Sequence, residues 1–169
     1  MRELPGSCWI GERALGDLLT EARAWPRRET GGALLGWRDD EDTVVAHVLG
    51  PGPLARHGYR SFEPDGEWQQ REGERLYRDS GRRVAYLGDW HTHPLGNPKP
   101  SPQDLKTVAA IAADDAFRAP EPLYAIAAKP WYRGSAGRWQ LRMMQWRDGS
   151  LGRLEVRELA EATVAASLR

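Results

Sequence analysis

Glycine and proline residues divide this chain into short segments. The 169 residues include 18 glycines and 12 prolines. Both residue types interrupt regular structure, because proline lacks a backbone N–H and glycine readily adopts turn conformations. Their frequency is high for a bundle of long helices, and no apolar stretch approaches the roughly 20 residues that a transmembrane helix requires. We therefore expect short helices and short strands.

Three segments show the spacing of apolar residues that is typical of helices. Residues 11–25 form the first, which ends before Pro26. Residues 67–79 form the second. Residues 101–115 form the third, and its opening Ser-Pro-Gln-Asp sequence favours the start of a helix.

The remaining apolar runs predict strands. Residues 32–37 and 43–49 flank a polar turn, which indicates a β-hairpin. Further strand candidates are residues 60–63, 84–90, 123–128, 138–146 and 154–159. The chain shows no internal repeat or linker. We therefore predict a single domain over residues 1–169, of the α/β class in the broad sense (α+β), with helices mixed with a largely antiparallel sheet.

Charge and cysteine content exclude several classes of protein. Lysine and arginine number 24 and aspartate and glutamate 24, so no overall field attracts nucleic acid or an anionic membrane. Cys8 is the only cysteine, which leaves neither an intramolecular disulfide nor a cysteine-based metal cluster. The first residues lack the apolar stretch of a signal peptide. We expect a cytoplasmic protein with no nucleic-acid or membrane partner.

Two histidines separated by one residue, His91 and His93, follow a strand candidate. On an extended backbone, residues i and i+2 point to the same face, close enough for both imidazoles to share a metal ion. Asp104 lies in the first turn of the third predicted helix, and the intervening loop allows its carboxylate to reach the same point. Two histidines and one carboxylate, with a fourth position open, are a ligand set of catalytic zinc sites.

Each part of this pattern also has a purely structural interpretation. A His-x-His pair alone is often a surface or core feature, and Ser101 with Asp104 alone is a good helix cap. The cap and the ligand role are compatible, since the start of a helix can also hold a ligand. Upstream, Glu29 is either a general base or a solvated acid beside Arg27 and Arg28.

The combined pattern resembles the JAB/JAMM (MPN-domain) family of zinc metalloproteases. His91-Thr-His93-Pro, seven residues between His93 and Ser101, and two between Ser101 and Asp104 match its His-x-His-x7-Ser-x-x-Asp signature. The segment Glu-Thr-Gly-Gly-Ala-Leu-Leu-Gly, which begins at Glu29, is similar to the strand that carries the family's catalytic glutamate. The Gly-Asp-Trp-His-Thr-His-Pro stretch is most similar to the prokaryotic stand-alone branch. The resemblance implies an MPN/JAB-like fold, with a curved, largely antiparallel sheet flanked by helices.

The resemblance also implies a role for each matched residue. His91, His93 and Asp104 are expected to bind Zn2+, with water in the fourth position. Zinc lowers the pKa of such a water to about 7. Glu29 is expected to accept the proton of the water and pass it to the leaving amine. Ser101 is expected to donate a hydrogen bond to the oxyanion of the tetrahedral intermediate.

In this family, such a site implies cleavage after the C-terminal tail of ubiquitin or a ubiquitin-like protein, either to release a conjugate or to process a precursor. Some bacterial relatives work in antiviral operons with activating and conjugating enzymes, which are the further partners that we expect. A Gly-Gly tail can thread a narrow groove and be held by strand addition to a sheet edge. Trimming of a sulfur-carrier protein to expose its Gly-Gly end is an alternative within the same class.

Other classes of function fit the sequence less well. A non-catalytic MPN module that binds a partner is expected to have lost metal ligands, and here the motif is intact. A nucleic-acid-binding protein is suggested by the many arginines but disfavoured by the zero net charge. A zinc nucleobase deaminase needs a paired-cysteine motif that this chain lacks.

Residues near the motif carry weaker predictions. Trp90 is expected to pack in the core, and Asp89 to accept the second ring N–H of a metal-bound histidine. His47 and His57 lack ligand spacing. Residues 129–139 form an aromatic-rich loop that either lines a substrate groove or lies on the surface.

Overall fold

The computed structural model describes residues 1–94, 96–129 and 138–168. No helix in these ranges is long and apolar enough to cross a membrane. The strands are β1 (Glu3–Gly11), β2 (Gly31–Asp39), β3 (Asp42–Val48), β4 (Arg56–His57), β5 (Phe62–Glu63), β6 (Ala85–His93), β7 (Leu123–Ala128), β8 (Gln140–Arg147) and β9 (Ser150–Leu159). The α-helices are α1 (Glu12–Ala24), α2 (Gly66–Asp79), α3 (Pro102–Ala113) and α4 (Glu161–Ser167), and a 3-10 turn covers Asp115–Phe117.

Seven strands form a closed barrel in the order β1-β3-β2-β6-β7-β8-β9, and β9 pairs back onto β1. The pairs β1–β3, β1–β9 and β6–β7 are parallel, and the other neighbours are antiparallel. Strands β4 and β5 form a separate two-stranded sheet. The predicted mixture of helices with a mostly antiparallel sheet is confirmed. The expected curved sheet is corrected, because it closes into a barrel.

The closure depends on β1, which the sequence analysis missed. Cys8 pairs with Thr43 of β3 on one side and with Val156 of β9 on the other. The first half of the strand contains Pro5 and Gly6, which read as a turn signal. Gly6 has φ +83°, and the register of the pairing with β9 shifts at this point. Pro5 and Gly6 therefore explain why the sequence did not predict the strand that completes the barrel.

The core fills the barrel and the layer between the barrel and the helices. The largest cluster combines side chains from α1 and from all seven barrel strands, and its buried members include Ile10, Leu18, Leu34, Val45, Trp90, Leu123, Met143 and Leu154. Helix α1 presents Ala14 and Leu18 to this cluster and also buries Ala22. Helix α3 contributes Val108 to a second cluster on the other side of β7. These contacts fix the orientation of both helices relative to the central strands.

Most other predicted elements are confirmed. The three predicted helices correspond to α1, α2 and α3, and the predicted hairpin is β2–β3. The strand at residues 84–90 extends further, through His93. The elements β4 and α4 were missed because, at two and seven residues, they are too short to show an apolar period.

Candidate active site

His91 and His93 lie at the end of β6, on the same face of the strand as predicted. Their Nε2 atoms are 2.9 Å apart, and their ring centroids are separated by 4.7 Å. β6 lies between β2 and β7 in the barrel, where His91 pairs with Gly31 on one side and Ile126 on the other. Two neighbouring strands therefore hold the backbone that carries both imidazoles.

Asp104 approaches the histidines from the first turn of α3. The Asp104 N–H donates to Ser101 Oγ (3.2 Å), and the Ser101 N–H donates to Asp104 Oδ2 (2.6 Å), so the two residues form a reciprocal capping box. The Tyr124 hydroxyl donates to Asp104 Oδ1 (3.3 Å). These three hydrogen bonds fix the orientation of the carboxylate, because they engage both of its oxygens and the adjacent backbone.

The three side chains fit a metal ion. Asp104 Oδ1 lies 3.3 Å from His91 Nε2, and Asp104 Oδ2 lies 3.5 Å from His93 Nε2. One ligand atom from each residue lies within 4.8 Å of the others. Ligands about 2 Å from a common tetrahedral ion are roughly 3–3.5 Å from one another. The spacing and the nitrogen and oxygen donors therefore match a mononuclear metal site.

Hydrogen bonds around the cluster orient the His93 ring and keep Asp104 ionised. The Nδ1–H of His93 donates to the Asn97 carbonyl (2.9 Å), which leaves Nε2 with a lone pair towards the cluster. Burial opposes ionisation of Asp104, but the adjacent His91 and His93 rings and the Ser101 N–H outweigh it and hold the pKa of Asp104 well below its usual range. A deprotonated carboxylate and a neutral imidazole are the forms that coordinate a metal.

Glu29 lies two residues before β2 and lines the same cavity as His91, His93 and Asp104, a space of about 970 Å³. Burial raises the pKa of Glu29, although the two histidines oppose this shift. A carboxylate with a raised pKa is a better proton acceptor at neutral pH than an exposed glutamate. Glu29 therefore lies in the right cavity for a base.

Gly31 brings the Glu29 segment close to the histidine strand. A Cβ at this position would overlap the Trp90 carbonyl and lie 2.9 Å from the His91 Cα. Any larger residue would push β2 away from β6. The lack of a side chain at Gly31 therefore permits the close approach of the two strands.

Ser101 also lines the cavity, beside Asp104. Its Oγ accepts the Asp104 N–H, as the capping interpretation predicts. A hydroxyl group has one donor hydrogen in addition to its acceptor lone pairs. The cap therefore leaves the Ser101 hydroxyl hydrogen available for a ligand in the cavity.

The weaker predictions have mixed outcomes. Trp90 is 1% exposed and donates its indole N–H to the Leu49 carbonyl (2.9 Å), so its role in packing is confirmed. Asp89 lines the cavity but accepts a hydrogen bond from the Tyr86 hydroxyl (2.7 Å), a partner that was not predicted. For the predicted loop at residues 129–139, residues 130–137 lie outside the described residues.

Two residues at the site were missed by the sequence analysis. Tyr124 contacts the Asp104 carboxylate, and its only sequence signal is a hydroxyl within the otherwise apolar strand β7. His57 was set aside because it lacks ligand spacing. Its ring Nδ1 lies 3.0 Å from the Glu29 carbonyl, a contact that no spacing rule would reveal.

Metal-ligand side chains with a separate glutamate in one cavity are the arrangement of metal-dependent hydrolases. Comparison with known proteins narrows this class to one family. Residues 11–145 match the family described as prokaryotic homologs of the JAB domain. The chain belongs to this family and is a JAMM-type hydrolase, as the sequence analysis predicted.

Two curated relatives are named as a metalloprotease and as an isopeptidase. The protein named "Probable metalloprotease y4qB" from Sinorhizobium fredii is 38% identical over 122 residues, which cover 71% of this chain and 74% of that protein. A protein named "CD-NTase/cGAS isopeptidase" from Escherichia coli is 35% identical over 79 residues, which cover 47% of this chain and 51% of that protein. Metalloprotease and isopeptidase names both fit the site.

A solved structure supports the fold. The solution structure of protein DSY2949 from Desulfitobacterium hafniense superimposes with a TM-score of 0.68 at 21% identity. The superposition covers 91% of this chain and 94% of that one. The likeness therefore extends well beyond the residues of the site.

Proposed function

We propose that this protein is a zinc-dependent isopeptidase or peptidase that cleaves after the C-terminal tail of a ubiquitin-like protein. The observation that carries the proposal is the cavity in which Glu29 and Ser101 face the His91, His93 and Asp104 cluster. The cluster supplies ligands, and the other two residues supply a proton acceptor and a hydrogen-bond donor. Together they cover the needs of amide hydrolysis.

His91, His93 and Asp104 hold the zinc ion in this proposal. The borderline-soft Zn2+ ion suits a set of two imidazole nitrogens and one carboxylate oxygen, whereas magnesium and calcium prefer oxygen ligands. When bound, zinc acts as a Lewis acid and lowers the pKa of its water to about 7. The hydrogen bonds from Tyr124 to Asp104 and from His93 to Asn97 keep two of the ligands oriented.

Glu29 and Ser101 move protons and stabilise charge. Glu29 accepts a proton from the attacking water and returns it to the amine that leaves, so the peptide C–N bond breaks without release of an unprotonated amide anion. Ser101 donates its hydroxyl hydrogen to the carbonyl oxygen of the substrate as negative charge develops there. The capping box holds Ser101 in place for this contact.

The barrel topology favours one position for the substrate tail. Within the described residues each of the seven barrel strands pairs with two neighbours, so the barrel has no outer edge strand for strand addition. The β4–β5 sheet is separate from the barrel, and Phe62 of β5 lines the cavity. We place the extended Gly-Gly tail along this small sheet, in the cavity between it and the start of α3.

A ubiquitin-like substrate is favoured by the relatives named CD-NTase/cGAS isopeptidases, which occur in Escherichia coli, Enterobacter hormaechei and Vibrio cholerae. An isopeptidase removes a protein from a side-chain amine. In a bacterial antiviral system, such an enzyme would work beside activating and conjugating enzymes. Processing of a ubiquitin-like precursor or trimming of a sulfur-carrier protein would use the same cavity.

The test is incubation of the zinc-loaded protein with candidate substrates of both kinds. Linear fusions that extend a ubiquitin-like protein beyond Gly-Gly test processing, and lysine-linked conjugates test deconjugation. We expect cleavage that stops with a chelator and returns with zinc. The His91→Ala, His93→Ala double variant should be inactive. Cleavage that survives both the chelator and the double variant would contradict the proposal.

A further inference from the structure

Glu29 lies outside the barrel, and a different element holds its backbone. β2 begins at Gly31, so Glu29 is not paired with a barrel strand. Its N–H donates instead to the Gly58 carbonyl (2.8 Å). Its carbonyl lies 3.0 Å from His57 Nδ1. A carbonyl can only accept, so Nδ1 carries the hydrogen and donates it. Both polar groups of the Glu29 backbone are thus bound by the β4–β5 hairpin.

The His57 ring is held on several sides. It stacks on Trp25 with a centroid separation of 3.6 Å and an interplanar angle of 11°. Phe62, its pairing partner in β5, lies with its ring centroid 5.6 Å away. Arg28 donates to the His57 carbonyl (3.1 Å). An aromatic ring packed in this way presents its Nδ1–H in one direction only.

The hairpin itself has a tight turn. The Gly58 N–H donates to the Ser61 carbonyl (2.8 Å), and a Cβ at Gly58 would overlap the Ser61 side chain. On the other side of Glu29, Thr30 is fully buried. The Thr30 N–H donates to Thr92 Oγ1 (3.0 Å), and the Thr92 N–H donates to the Thr30 carbonyl (2.8 Å). The barrel therefore anchors Thr30, and the hairpin anchors Glu29.

We propose that His57 is a positioning residue for Glu29: it ties the β4–β5 hairpin to the Glu29 backbone and thereby fixes where the carboxylate meets the attacking water. This inference rests on the proposed role of Glu29 as the base. A base must lie within hydrogen-bond distance of the proton it accepts, and a displacement of about 1 Å can reduce turnover by roughly 100-fold. Because Glu29 has no barrel pairing, its position depends on the His57 contact together with the hydrogen bond to the Gly58 carbonyl.

The variants His57→Leu and His57→Asn separate the hydrogen bond from the packing. Leucine fills much of the space against Trp25 but has no donor. Asparagine is smaller, but its side-chain N–H can take the place of the Nδ1–H. The control is His47→Leu, which removes a half-buried histidine of β3 that does not line the cavity.

The first measurement is amide hydrogen exchange of the metal-free protein. We expect His57→Leu to accelerate exchange in residues 27–31 by about 10-fold or more, because opening of the hairpin exposes the Glu29 N–H. His57→Asn should restore slow exchange, and His47→Leu should leave this segment unchanged. Unchanged exchange in His57→Leu would overturn the proposal.

The second measurement is turnover of the zinc-loaded protein on a linear ubiquitin-like Gly-Gly fusion. His57→Leu should lower kcat roughly 10- to 100-fold with KM and zinc content unchanged, and His57→Asn should recover part of the loss. In the Glu29→Gln background, His57→Leu should have no further effect, since a residue that acts through Glu29 loses its influence there. Losses that multiply in the double variant would contradict a positioning role.

These outcomes also separate the inference from the proposed function. If Glu29→Gln alone is fully active, the role of Glu29 as base fails, whatever His57 does. If Glu29→Gln is inactive and His57→Leu changes neither exchange nor kcat, the base remains and the positioning role fails.

Discussion

The Ser101→Ala variant tests whether one side chain serves both the fold and the reaction. In the structure, Ser101 Oγ accepts the N–H of Asp104 at the start of α3. Alanine removes this hydrogen bond, which costs about 1 kcal/mol at a helix N-cap. The free energy of unfolding falls by about 2 kcal/mol for each molar increase in urea concentration. The urea concentration at the unfolding midpoint of the metal-free protein should therefore fall by about 0.5 M.

The same variant should lose turnover by more than its stability explains. Ser101 lines the cavity and retains a hydroxyl hydrogen to donate. Loss of an oxyanion donor lowers kcat by roughly 10²- to 10³-fold. Zinc content should stay unchanged, because Ser101 is not among the three ligand candidates.

Ser101→Thr is the matched control, since threonine keeps the hydroxyl and is also an accepted N-cap residue. It should retain most of the stability and measurable turnover. Urea unfolding measures the stability and steady-state kinetics measures kcat, both on the same preparations. Full kcat in Ser101→Ala with a lowered unfolding midpoint would refute the catalytic part of the reasoning and leave Ser101 as a cap alone.

Three further predictions concern the metal, the base and a buried acid. His91→Ala and Asp104→Ala should lose zinc but stay folded, because neither residue belongs to the main core cluster; elemental analysis and circular dichroism check both points. Glu29→Gln should keep zinc and lose on the order of 10²- to 10⁴-fold in activity, and loss of zinc instead would make Glu29 a ligand. Burial raises the pKa of Asp89 to about 6. This group therefore favours the folded state at low pH and loses that contribution as pH rises towards 6. Asp89→Asn should therefore stabilise the metal-free protein more at pH 8 than at pH 5, as measured by urea unfolding. A larger stabilisation at pH 5 would contradict the raised pKa of Asp89.

Local sequence patterns predicted the elements that have a clear apolar period. α1 and β7 lie where the spacing of leucines and the run of apolar residues place them. β1 was missed because Pro5 and Gly6 are typical of a turn. Its pairing partners, β3 and β9, are also far away in sequence. The closure of the barrel depends on those long-range pairings, and no local pattern encodes them.

The candidate site was more predictable than the fold. His91 and His93 lie on one strand, where their i, i+2 spacing puts them on one face. Asp104 lies at a helix start, and the resemblance to the family signature identified it as their partner. The neighbours that orient them were not predictable. Tyr124 and His57 reach the site through the packing of β7 and of the β4–β5 hairpin, and neither lies near the motif in sequence.

The most direct test of the central claim is cleavage of a lysine-linked ubiquitin-like conjugate by wild-type protein and by Glu29→Gln, both loaded with one zinc ion per chain. Mass spectrometry should find a product that ends in Gly-Gly and a free target lysine with the wild-type protein, formed on the order of 10²- to 10⁴-fold more slowly with Glu29→Gln. Equal rates for the two proteins at equal zinc content, or cleavage at another bond, would contradict the account.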